Sequence, residues 1–170
     1  MMLGPNRGGE NPFSRFLRVT AERSDPHAAG THDVACYSSS ILDLAAAPGL
    51  ALGTPNSVTL DPGNITALCQ FPAQAGDRVY FDSQEYTGSV YYTLLDPYAQ
   101  PVFADSWSWN DVDVQTLTIP GTYTLVIEGY SYQSDPASVT FAVQPVHDDT
   151  ASLAIGTPVN GSIAHAGQQD

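Results

Sequence analysis

Three aspartates and a set of aromatic rings are the residues of this chain whose types and spacing could do chemistry. Asn110-Asp-Val-Asp113 places Asp111 and Asp113 on one side of an extended segment, with Asp105 shortly before them. A hard cation seeks several oxygen ligands, so calcium is the metal these residues would suit. Asp82 with Glu85, and Asp148-Asp149, are further acidic groups of the same kind. The alternative for each is a solvated acidic turn. Tyr86, Tyr98, Trp107, Trp109, Tyr130 and Tyr132 fall in or near expected loops. Exposed and coplanar, such rings would form a ligand face for a carbohydrate or another polymer, with Trp107, Trp109, Tyr98 and Tyr130 as its core. Otherwise a tryptophan fills the core and the tyrosines cap strand ends with wet hydroxyls.

The residues of catalysis are sparse. The four histidines are His27, His32, His147 and His165, so no imidazole lies between Cys36 and Val146. Neither a Gly-x-Ser-x-Gly elbow nor a His-Glu-x-x-His pair occurs, and a non-enzyme is expected. His27 with His32-Asp33 reads as solvated surface rather than a zinc cluster. Cys36 and Cys69 do not make a disulfide framework. They either form one bond or leave Cys69 as a buried thiol.

Charge narrows the partners. The chain has 170 residues, 18 of them acidic, five arginines, no lysine and a net charge of −13. Four arginines precede Ser24; beyond it, Arg78 faces sixteen carboxylates. Such a surface repels phosphate and argues against nucleic acid or an anionic membrane as partner. No run approaches the roughly 18 apolar residues of a membrane span, and Met1–Arg23 lacks the apolar stretch of an export signal.

The elements that would position these groups are short strands. Residues 1–48 show no sustained period and are expected to be a mostly irregular leader, with a frayed helical turn near Phe13–Arg23. From Ile41 onward, alternating runs end at turn residues every eight to twelve positions, the pattern of a sandwich or barrel. Ser57–Leu60, Ile65–Phe71, Val79–Phe81, Val90–Leu95, Pro101–Ala104, Val114–Ile119, Thr122–Tyr130 and Ser138–Val143 are the expected strands, with Asp82–Gly88 as a loop. Val90, Tyr92 and Leu94 share one face, as do Tyr123, Leu125 and Ile127.

An internal repeat sets the larger organisation. Leu50-Ala-Leu-Gly-Thr-Pro55 recurs as Leu153-Ala-Ile-Gly-Thr-Pro158, and Leu60 matches Ile163 at the same offset of 103 residues. That period is one sandwich domain. The chain is expected to hold one full unit at 49–146 and the start of another at 147–170, the stop at Asp170 suggesting a fragment.

Within that unit, Cys69-Gln-Phe71 through Ala75-Gly76-Asp-Arg-Val79, Leu94-Leu-Asp-Pro97 through Pro101-Val-Phe103, and Gly121-Thr-Tyr123-Thr-Leu-Val-Ile127 occur in an order that resembles the bacterial pre-peptidase C-terminal domain. Two features depart from that pattern: Cys69 stands in place of a tyrosine, and the hairpin turn Tyr98-Ala-Gln has no glycine. The resemblance implies an all-β, jelly-roll-like antiparallel β-sandwich of about eight strands. It further implies an accessory, non-catalytic module of a secreted or cell-surface bacterial protein. Such modules are spacers or adhesion units, binders of polymers such as collagen or polysaccharide, or segments beside a secreted peptidase, and some bind calcium. Neighbouring repeats or an extracellular polymer are the implied partners.

Overall fold

A computed structural model describes residues 15–22, 36–148, 152, 155–158, 160–163 and 166–168, with side chains from residue 42 onward. The chain divides into two compact units, Met1–Ala47 and Pro48–Asp170.

In the first unit, β1 (Arg15–Glu22) pairs antiparallel with β2 (Cys36–Asp43), from Arg15 opposite Asp43 to Glu22 opposite Cys36. A single 3-10 turn, Leu44–Ala46, follows, capped by the Asp43 carboxylate on the Ala45 amide. A strand at residues 15–22 thus stands where a helical turn was expected, while residues 1–14 and 23–35 of the expected leader lie outside the described residues. Val19 and Thr20 are β-branched and suit extended backbone, and eight paired residues stabilise what an isolated helical turn could not.

Among the described residues, the second unit contains eight strands. They are β3 (Asn56–Leu60), β4 (Thr66–Ala73), β5 (Arg78–Thr87), β6 (Val90–Leu95), β7 (Pro101–Trp107), β8 (Val112–Thr116), β9 (Gly121–Gly129) and β10 (Ala137–Pro145). They form two antiparallel sheets, ordered β3-β10-β5-β8 and β4-β9-β6-β7. That ordering is a jelly roll: neighbours within a sheet are mostly distant in sequence.

Strand alternation places the core between the sheets. Val90, Tyr92 and Leu94 of β6, and Tyr123, Leu125 and Ile127 of β9, are all buried. Opposite them lie Val79, Phe81, Val139, Phe141 and Val143. Phe81 stacks on Phe141 at 5.3 Å and meets Tyr92 at 4.5 Å, so aromatic contacts knit the two sheets together. Val126 faces outward as expected, yet it too is buried, in register with Leu68 on one neighbour and Thr93 on the other.

Two expected boundaries move. Asp82–Thr87 is not a loop: it extends β5 along β10, with an irregularity between Thr140 and Phe141 that absorbs an extra residue. β8 begins at Val112, two residues before its expected start. Leu117, just past it, donates its amide to the Asp77 carbonyl and is buried.

The turn of the repeated motif recurs. Gly53 and Gly156 both take positive φ, +72° and +89°, in turns of the same kind. Further on, Gly167 packs so closely on the sandwich that a Cβ there would lie 2.8 Å from Val114 Cγ2, and Gln168 is buried.

Candidate functional site: an aromatic surface at one end of the sandwich

The site is built by a fault in a strand. On β7, Phe103 faces Leu94 and packs inward near Phe81. Regular alternation would turn Trp107 inward as well. Between them the register shifts: Asp105 adopts φ +53° and its amide donates to Thr93 Oγ1. This bulge reverses the parity, so Ser106 opposes the buried Tyr92 while Trp107 opposes Tyr91 on the outer face. The core therefore receives no tryptophan.

Beyond β7 the chain makes a turn closed by the Asn110 amide on the Trp107 carbonyl. Ser108 is buried within that turn, and Trp109 stacks on Trp107 at 4.3 Å with 15° between the rings. Tyr91 approaches Trp107 at 4.0 Å. Tyr130, at the end of β9, lies 6.1 Å from Tyr91 and 6.3 Å from Trp107, and 5.6 Å from Tyr132. Tyr86 of β5 lies 6.2 Å from Trp109. Six rings thus make one continuous surface. Trp109 is 47% exposed, Tyr130 40% and Tyr132 82%. Beside Tyr86, a shallow depression of about 330 Å3 is lined by Gln84, Glu85, Thr87, Ser138 and Thr140.

Of the expected ligand residues, Trp107, Trp109 and Tyr130 come together, and Tyr98 does not. Tyr98 is exposed in the β6–β7 turn, at the opposite end of β6 from Tyr91. The rings are not coplanar: most neighbouring pairs are tilted by 37–55°. Tyr91 was not singled out from sequence, although its outward position on β6 was readable from the buried parity of Val90 and Tyr92.

The expected metal ligands do not converge. Among the described residues, no group of three His, Cys, Asp or Glu side chains is placed to hold a metal ion. Asp111 accepts hydrogen bonds from the Tyr80 hydroxyl at 2.7 Å and the Ser83 amide at 2.9 Å, so it latches the β7–β8 connection onto β5. That bond, then burial and the Asp111, Asp82 and Asp113 charges, push the Tyr80 hydroxyl up to about 12. Asp113 accepts from the amide of Val114. Burial first, then Tyr130 and the Asp105 charge at the bulge, raise the Tyr91 hydroxyl. Asp105 is thus placed near Tyr91 of the aromatic surface.

Behind the rings are two buried hydroxyls, Tyr92 Oη and Ser108 Oγ, that make no hydrogen bond among the described residues. Ser83 Oγ, facing the same interior, donates to the Ser108 carbonyl. Burial pushes the Tyr92 hydroxyl well above its ordinary value. Elsewhere, Cys69 is a free buried thiol, likewise raised by burial. The Cys36 side chain, His27 and His32, Asp149 and His165 lie outside the described residues. Arg78 pairs with Asp148 rather than with its neighbour Asp77.

No family model matches the chain, and no curated protein matches it. Among solved structures it is similar to PliG of Aeromonas hydrophila, a periplasmic lysozyme inhibitor of g-type lysozyme. The identity there is 15% over 58% of this chain and 96% of that one, with a TM-score of 0.42. PliG of Salmonella Typhimurium, also a periplasmic inhibitor of g-type lysozyme, gives 15% identity, 56% and 96% coverage and a TM-score of 0.39. The pre-peptidase C-terminal domain of collagenase from Bacillus anthracis gives 17% identity, 57% and 93% coverage and a TM-score of 0.39. A domain of the family that residues 69–127 resemble is one of these three structures.

Proposed function

We propose that the chain is a non-catalytic, extracellular β-sandwich module of a larger secreted or surface protein, and that it contacts a polymeric partner through its aromatic surface. The observation that carries this reading is the run of six touching rings with Trp109, Tyr130 and Tyr132 exposed. Exposed Trp and Tyr side chains supply large contact area at low entropic cost and are enriched at binding hot spots. Monomeric proteins rarely leave such a cluster bare without a use for it. The test is retention of the full chain on chitin, cellulose, gelatin and poly-arginine supports. Retention on one of these, lost in the Trp109→Ala/Tyr132→Ala double variant, is expected. Retention on none, or equal retention of the double variant, would overturn the reading.

A spacer role within a repeat array is the second reading. The observation favouring it is the recurrence of the Gly53 turn at Gly156 in both sequence and backbone. The two readings are compatible, since a repeated unit with a contact face is an adhesion unit.

A further inference from the structure

Carboxylates of the sandwich lie beside the aromatic surface. Asp105 acts on Tyr91 through its charge, and Glu128 stands directly opposite Tyr91 across the β6–β9 pair. Arg78 is the single cation after residue 24; it lies at the other end of β5 from Tyr86 and is paired with Asp148.

Ring geometry discriminates between ligand classes. A flat sugar chain laid across several rings needs those rings coplanar, and these are tilted; Trp107 and Trp109 also cover one face of each other. A guanidinium or ammonium group needs only one ring face and a carboxylate nearby. The sandwich of a second copy would bring more negative charge and only one arginine, so it does not supply the cations that this surface suits.

We infer that the surface formed by Tyr86, Tyr91, Trp107, Trp109, Tyr130 and Tyr132 receives arginine and lysine side chains of a basic protein segment, held by cation–π contacts and by the carboxylates at its rim. This deepens the binding role proposed above and rests on it.

The chain's two tryptophans are both in this surface, so tryptophan emission reports on it alone. The probes are octa-arginine, octa-glutamate, cellohexaose and chitohexaose, titrated into the full chain. Octa-arginine is expected to change the emission saturably and the other three to leave it unchanged. Trp109→Ala should weaken octa-arginine binding roughly three- to tenfold. Asp105→Asn should weaken it about threefold, and Asp77→Asn, the same charge change at the opposite end of the sandwich, by less than about 1.5-fold. Equal effects of the two aspartate variants, or none from Trp109→Ala, would mean diffuse attraction to an acidic protein and overturn the inference. A response to a hexaose without one to octa-arginine would also overturn it, while leaving the aromatic surface as a binding face. Failure of the retention test as well would remove both.

Discussion

At the scale of single residues, the unpartnered hydroxyls behind the aromatic surface make a sharp prediction. A buried polar atom without a partner costs the folded state its hydration, so removing it should not destabilise. Tyr92→Phe is expected to be neutral or to stabilise by up to about 1 kcal/mol in urea unfolding. Ser108→Ala should behave alike. By contrast, Asp111→Ala frees both the Tyr80 hydroxyl and the Ser83 amide and should cost roughly 1–2 kcal/mol. The same tyrosines govern alkaline stability. The folded-state hydroxyls of Tyr80 and Tyr92 hold their protons more tightly than in the unfolded chain, where they titrate near 10. Their contribution is therefore complete below pH 10 and declines as the pH climbs toward about 12, where Tyr80 titrates. Tyr80→Phe and Tyr92→Phe should each flatten that decline, read as melting temperature against pH.

At the scale of elements, two turns separate backbone strain from steric exclusion. Ala99 takes φ +60° in the β6–β7 turn, where Asp96 accepts the Tyr98 and Gln100 amides. A Cβ is disfavoured in that conformation, so Ala99→Gly should raise stability by roughly 0.5–1 kcal/mol by calorimetry. Gly129 needs space rather than a rare φ: a Cβ there would lie 1.6 Å from the Gly63 carbonyl oxygen. Gly129→Ala should therefore drive the β3–β4 turn off the end of β9 and cost several kcal/mol or prevent folding. Most strands were legible from sequence because Val90–Leu95 and Gly121–Gly129 alternate over six or more residues between plain turn signals. The aromatic surface was only half legible. Trp107 and Trp109 could be assigned to a common face, but which face depended on the Asp105 bulge. A register slip is settled by the partner strand, here through Thr93 Oγ1, and no local pattern encodes that. The strand pair of β1 and β2 was missed for a related reason: residues 15–22 carry arginines among their apolar positions, which hides any two-residue period.

At the scale of the whole molecule, the repeat permits an internal comparison. Leu60 is fully buried, whereas its counterpart Ile163 is 67% exposed. Leu60→Ala should cost about 2–5 kcal/mol, and Ile163→Ala no more than roughly 0.5 kcal/mol, in the same denaturant assay. Net charge acts globally too. With −13 on 170 residues, self-repulsion opposes the compact state, and salt should raise the melting temperature as it screens that repulsion.

The Asp105 bulge carries a further consequence, for self-association. β7 is the outer strand of its sheet and would otherwise offer a ladder of unpaired amides and carbonyls to another chain. It opens with Pro101, which has no amide to offer, and its bulge carries a charged side chain in a left-handed conformation that a flat pairing partner could not follow. The distortion that turns Trp107 outward thus also blunts the edge beside it.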